Sequence, residues 1–408
     1  MKALTLKGKG FDHLVVEEIP IPEPGDGQLL ARVDCAGICT SLLKIISQGS
    51  THPMMYGWNL ETTPAILGDE GSVTLVEVGK NLRHLFQEDD RYVVQPSINH
   101  PPIYRRQMYA NAGSGIAKTG AGYTLPGHLA EYMLIPEDVI AAKSMIKIED
   151  PTIPFGHAAI AEPLSCCISA QEHHFHIETP DLTKRRVVER GVKHGGVLVV
   201  IGAGMMGRMN LDIALSSKPR LVIVSDFLPE RLAIVEKLFA ERAKKLSTEL
   251  ITSPPQQLSR LLADLTNSSG ADDVIVAVGK QAAVESAQHL VGRGGVLDIF
   301  GGLPKAEDLV ALRSGLIHYD EVTLVGSSGG IPWDIARAIE LISTKEIAPE
   351  VHITRVCDLE DVPDILKLMQ ANQLDGKAIT YPHIHLESQI LTSTWTNEDE
   401  QRLIQQHQ

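Results

Sequence analysis

Gly195-Gly196-Val197-Leu198-Val199-Val200-Ile201-Gly202-Ala203-Gly204-Met205-Met206-Gly207 is the stretch whose reading decides the fold. The unbroken apolar run Val197–Ile201 predicts a strand buried on both faces, and the glycines behind it predict a tight turn that opens a helix. In such a turn Gly202 supplies the sharp bend, Gly204 lets a pyrophosphate approach the backbone, and Gly207 lets the helix pack close to the strand. The free N–H groups of the helix start then face the phosphates. Gly202, Gly204, Met206 and Gly207 are therefore expected to bind a dinucleotide. A second apolar strand, Leu221–Ser225, ends in Asp226, whose carboxylate can hold both ribose hydroxyls and repel a 2′-phosphate. NAD(H) is accordingly expected over NADP(H). Asp226 also suits a helix N-cap before Pro229-Glu230-Arg231, and Arg231 either packs on the adenine or faces solvent.

Working outward, further apolar segments at 274–278, 296–300 and 322–325 alternate with helical ones, which predicts a doubly wound parallel sheet. Before residue 162 the chain is rich in Pro and Gly. Its short alternating segments at 29–33, 72–78 and 91–94 read as strands of an all-β unit. A helical stretch starts near Glu162-Pro163 and another spans 331–342; the polar stretch 388–408 reads as a solvated tail or arm. With 408 residues and a net charge of −14, neither duplex nucleic acid nor an anionic membrane is expected as the main partner. The apolar runs are far short of a membrane span, and the N-terminus alternates like a strand rather than a signal peptide. Five scattered cysteines suit a reducing compartment, so a cytoplasmic location is expected.

Three separated segments carry potential catalytic groups: Gly37-Ile38-Cys39-Thr40-Ser41, Gly68-Asp69-Glu70-Gly71 and Glu162-Pro163-Leu164-Ser165-Cys166. One thiolate with carboxylates can build an open zinc site, which polarises a carbonyl and lowers an alcohol's pKa. Each residue also has a plainer role. Cys39 suits a small core side chain, Asp69 and Glu70 a turn, and Glu162 a helix start favoured by the dipole.

These motifs, in this order with the GAGMMG turn, resemble the zinc-dependent medium-chain dehydrogenase/reductase superfamily on its polyol dehydrogenase side. Within it, Cys39-Thr40-Ser41-Leu42-Leu43-Lys44, the 162–166 segment and Val325-Gly326-Ser327-Ser328-Gly329-Gly330 resemble the L-sorbose 1-phosphate reductases. The resemblance spans essentially the whole chain. It implies an α/β plus β fold: a GroES-like catalytic domain over 1–165, an inserted Rossmann domain over 166–330, and a C-terminal return with a tail over 331–408.

Carried over by residue, the resemblance makes Cys39 a metal ligand and Glu70 and Glu162 acidic positions that bind or exchange at the metal. Asp69 stands where the superfamily usually has histidine, and Leu42 where many relatives have the aspartate that orients this histidine. The paired change reads as an adapted site, with more negative charge around one catalytic zinc or another divalent ion per chain. Ser41 matches the hydroxyl that passes on the substrate proton, with Lys44 at the outer end of the relay or attracting a substrate phosphate. Ser327 lies in a loop resembling the one near the nicotinamide, and Lys377 matches a basic position near the pyrophosphate.

The four closely spaced cysteines of a structural zinc lobe are missing between Val94 and Glu131, so no structural zinc is expected. That region instead offers His100, Tyr104, Arg105, Arg106 and His128; the arginine pair either receives a phosphate or is an exposed loop pair. The cluster His173-His174-x-His176 is expected in a solvated loop. The implied activity is hydride transfer between NAD(H) and a polyol or ketose, free or phosphorylated, in a homo-oligomer (dimer or tetramer) formed through the 322–325 edge. A zinc-free reductase of the same superfamily and a non-catalytic dinucleotide sensor are the alternatives.

Overall fold

Strands that are apolar on both faces need cover on both sides, which the middle of a parallel sheet supplies. In the computed structural model, which describes residues 1–98, 119–391 and 394–407, the chain divides into two units. One is Leu164–Gly329; the other joins Met1–Pro163 to Gly330–Gln408.

The 164–329 unit holds a six-stranded parallel sheet. Its order is Glu249–Ser253, Leu221–Ser225, Val197–Ile201, Ala271–Val276, Val291–Asp298 and Thr323–Val325. The order reverses beside Val197–Ile201, so a crevice opens at the carboxyl ends of the central strands, where such sheets bind ligands. Val199, Ile223, Val274 and Leu297 are fully buried in its core.

The histidine cluster corrects the solvated-loop expectation. His174 and His176 are buried. His174 Nδ1 lies 2.7 Å and His176 Nε2 3.0 Å from Asp273 Oδ1, while His174 Nε2 is 3.4 Å from Asp298 Oδ2. Burial alone would lower the His174 pKa, but its hydrogen bonds to Asp273 and Asp298 prevail and raise it to about 9. A folded pKa above the ordinary 6.5 means stabilisation fully present below pH 6.5 and lost as pH rises through about 9. The shift corresponds to about 3 kcal/mol. In thermal denaturation of His174→Gln, the deficit from wild type should be widest near pH 6 and shrink by pH 10. A deficit independent of pH would contradict the buried imidazolium.

In the other unit, strand Leu29–Ile38 is the hub. It pairs with Gly71–Val78, Tyr132–Ile135 and Lys377–Thr380 in an eight-stranded sheet. Leu29, Val33, Val73, Leu75 and Ala378 fill its core, joined by Leu42, Ile45 and Ile46 from helix Ser41–Gln48. The polar C-terminal stretch is also not a free tail. It forms helix Asn397–Gln406, opened by a capping box between Thr396 and Asp399. Glu400 is fully buried and accepts from the Gly156 N–H at 3.2 Å, and Trp395 Nε1 donates to the Tyr381 hydroxyl at 2.9 Å. Among the described residues no helix is long and apolar enough to cross a membrane.

Candidate active site

Strand Leu29–Ile38 delivers Cys39 at its end, and the following helix begins at Ser41. Opposite lies the Gly68-Asp69-Glu70-Gly71 turn, fixed to this strand by the Gly37 N–H donating to the Glu70 carbonyl at 3.2 Å. The approach is too close for a side chain at Gly37, where an added Cβ would sit 2.2 Å from Glu70 Oε2. His128 packs beneath the turn, buried and held neutral, since burial pulls its pKa down to about 4.

Cys39 Sγ and one oxygen each of Asp69 and Glu70 all lie within 4.8 Å of one another. Ser41 Oγ donates to Asp69 Oδ2 at 2.5 Å, and the Ser41 N–H faces Cys39 Sγ at 3.5 Å. Glu70 is fully buried and ion-paired with Lys377, itself fully buried on strand Lys377–Thr380. Asp69 Oδ1 and Glu70 Oε2 are buried with no protein partner. Burial and the Glu70 charge push the Asp69 carboxyl up to about 6. Burial, then the charges of Asp69 and Glu70, push the Cys39 thiol well above its usual range. Three acidic groups with one lysine for countercharge and two idle carboxylate oxygens are the donor chemistry of a divalent cation site. The residues present fit such an ion.

Glu162, half-buried on the first turn of helix Ala161–Glu172, lies outside this compact trio, although its charge acts on Cys39. Lys44 is exposed one turn after Ser41. Two aromatic groups had no sequence signal. The Tyr123 phenol is pushed up by burial, then by the charges of Asp69 and Cys39, and interacts with Ser41. The His52 ring stacks on Tyr123 with centroids 5.2 Å apart. Lys377, carried over as a pyrophosphate contact, is committed to Glu70 instead. His100, Tyr104, Arg105 and Arg106 lie outside the described residues.

The glycine turn sits in the other unit. Gly202 has φ +104°, and a Cβ on Gly207 would lie 1.8 Å from the Gly202 carbonyl oxygen, so neither position admits a side chain. Helix Met205–Ser216 starts after Gly204 with no side-chain cap, leaving its first N–H groups for a ligand. Met206 stands in that first turn. Asp226 Oδ2 accepts from the Ala203 N–H at 2.8 Å and Oδ1 from the Leu228 N–H at 2.9 Å, which fixes the carboxylate at the strand end. Arg231 is 3.7 Å from Asp226. A cavity of about 540 Å³ opens here, lined by Gly202, Asp226, Leu228, Arg231, Val278 and Lys280. The residues present fit an adenosine and its pyrophosphate. Ser327 is half-buried in the turn after strand Thr323–Val325.

Residues 25–145 match the model of the alcohol dehydrogenase GroES-like domain, and residues 206–344 that of the zinc-binding dehydrogenases. Mannitol-1-phosphate 5-dehydrogenase of Aliivibrio fischeri is 31% identical over 92% of this chain and 86% of its own. L-sorbose 1-phosphate reductase of Klebsiella pneumoniae is 27% identical over 88% of this chain and 82% of its own. Among solved structures, 2R,3R-butanediol dehydrogenase of Bacillus subtilis superposes with a TM-score of 0.73 at 19% identity, covering 93% of this chain and 99% of that one. This last likeness is one of fold.

Proposed function

Because the chain belongs to the zinc-dependent medium-chain dehydrogenase/reductase superfamily, we propose that it transfers hydride between NAD(H) and a secondary alcohol or ketone of a phosphorylated polyol or ketose. The observation that carries this reading is the Cys39–Asp69–Glu70 trio with its two unpartnered carboxylate oxygens. Cys39 and Asp69 would hold the metal, with Glu70 and Glu162 as further or exchanging ligands. A bound zinc or similar ion supplies Lewis acidity toward the substrate oxygen.

The chain's own residues supply the rest. On oxidation, Ser41 would take the substrate hydroxyl proton, with Lys44 standing toward solvent, and a bound NAD⁺ would supply the hydride acceptor. Asp226 supports NAD(H), since a 2′-phosphate would meet its carboxylate. Asp226→Ser should therefore lower the KM for NADP(H) about tenfold or more relative to NAD(H). An unchanged ratio would remove Asp226 from cofactor choice. Ser327 is assigned to the nicotinamide loop, and Arg231 to the adenosine cavity.

The phosphorylated substrate class is supported by the names of the two relatives above. The test is NADH oxidation against ketoses and ketose phosphates, with metal analysis of the freshly purified protein. Turnover on ketose phosphates with about one divalent ion per chain is expected. Less than about a tenth of an equivalent would sink the metal assignment. NADH binding without turnover on any substrate would leave a sensor. We further assign the protein to the cytoplasm, supported by five cysteines that form no disulfide, and to a homo-oligomer using the edge strand Thr323–Val325.

A further inference from the structure

Cys39, Asp69 and Glu70 together take up the charge of Lys377 and of a divalent ion. That leaves no positive charge among them for a substrate phosphate, which needs cations or N–H donors from elsewhere in the unit. The outer side of Tyr123 offers both. The Tyr123 phenol interacts with Ser41, and the His52 ring lies against the Tyr123 ring, with centroids 5.2 Å and planes 28° apart. One phenol ring therefore separates His52 from the hydroxyl assigned to the substrate proton.

The local sequence fixes that imidazole. His52, half-buried, caps the short 3-10 turn Pro53–Met55, where its Nδ1 accepts from the Met54 N–H at 3.2 Å. A neutral ring bonded in this way carries its proton on Nε2. Burial, then the charge of Lys44, lower the His52 pKa, so the free imidazole is neutral near neutral pH. Its Nε2 makes no hydrogen bond among the described residues. Lys44, exposed on helix Ser41–Gln48, likewise makes no ion pair among them. An N–H donor and an ammonium thus stand within reach of each other, both uncommitted, in a chain of net charge −14.

We propose that Lys44 and His52 form the receptor for the phosphate of the substrate, with the His52 Nε2–H donating a hydrogen bond and the Lys44 ammonium supplying the countercharge. The inference rests on the phosphorylated substrate class proposed above. It divides the site by charge: the acidic trio serves the cation and the reacting oxygen, and the basic pair beyond Tyr123 serves the phosphate.

Steady-state rates with mannitol 1-phosphate and L-sorbose 1-phosphate, each against its unphosphorylated form, test it through the ratio of the two kcat/KM values. Lys44→Met and His52→Phe should each lower that ratio about tenfold or more. Phenylalanine keeps the stack on Tyr123, so a purely structural role would affect both members of a substrate pair equally. His52→Gln, whose side-chain amide can donate from near the place of Nε2, should recover part of the loss. Circular dichroism and melting temperature confirm that the variants are folded. An unmoved ratio in either variant would overturn the receptor and leave the hydride-transfer reading standing. An unmoved ratio with weakened NADH binding would also overturn it, and would give these groups to the cofactor pyrophosphate. If neither substrate pair turns over, calorimetry with inorganic phosphate on the NADH-saturated protein reads the same residues. Binding that both variants lose would keep the receptor while the proposed reaction falls; no binding, or binding equal in wild type and variants, would overturn the receptor as well.

Discussion

Cys39→Ala is expected to abolish stoichiometric metal binding and to lower turnover about a thousandfold or more, leaving NADH affinity near that of wild type. The magnitude follows from the several kcal/mol that a Lewis acid contributes to a developing alkoxide, at about 1.4 kcal/mol per tenfold in rate. The thiol is placed for this by its neighbours. Its strand ends against a turn that admits no side chain at Gly37, and an oxygen each of Asp69 and Glu70 lies within 4.8 Å of it. Without a cation, burial and those two charges hold the thiol protonated, so the thiolate exists when a positive ion compensates it. The dinucleotide site belongs to the other unit and shares no residue with this trio, which is why cofactor binding should survive. Metal analysis, steady-state rates and NADH fluorescence titration check the three parts separately. Turnover within a few-fold of wild type would remove Cys39 from the chemistry and favour a zinc-free reductase.

Much of this was legible in the sequence because it is written locally. Val197–Ile201 and Leu221–Ser225 are unbroken apolar runs, and a parallel sheet is the arrangement that buries both faces of such strands. The glycine turn and Asp226 sit beside those runs, so fold and cofactor site were read together. Cys39, Asp69 and Glu70 stood out through short motifs rather than through periodicity. What stayed hidden depends on distant partners. Lys377 meets Glu70 across 307 positions, and His174 meets Asp273 across 99. Neither histidine has a local mark that separates a buried ion pair from a solvated loop. Helix Asn397–Gln406 was missed because its anchor residues are Leu403 and a buried glutamate, so it carries almost no apolar stripe. Its capping box was the one local signal available. Tyr123 follows Gly120-Ala121-Gly122, a stretch whose only message is a turn.

Lys377→Met is expected to cost about 3–5 kcal/mol of folding stability in metal-free protein, the usual penalty for stripping one partner from a buried ion pair. Both groups are fully buried, so solvent cannot take over the lost charge on Glu70. The methionine keeps the packing volume of the lysine stem, which isolates the electrostatic part of the loss. Adding Glu70→Gln to the same chain removes the stranded carboxylate and should recover more than half of the deficit. Denaturant unfolding of wild type, both single variants and the double variant completes that cycle. A deficit below about 1 kcal/mol for Lys377→Met would show that the buried pair contributes little to folding. The same cycle repeated with zinc separates two roles for Glu70. Lys377 holds one oxygen of Glu70 and leaves Oε2 without a partner, so an ion that reaches Oε2 should stand in for the missing ammonium and shrink the deficit. If zinc stabilises wild type and Lys377→Met equally, Glu70 stays with its lysine and the ion rests on Cys39, Asp69 and a ligand beyond this trio. That outcome would move Glu162 from an exchanging position to a standing one, because its charge already reaches Cys39.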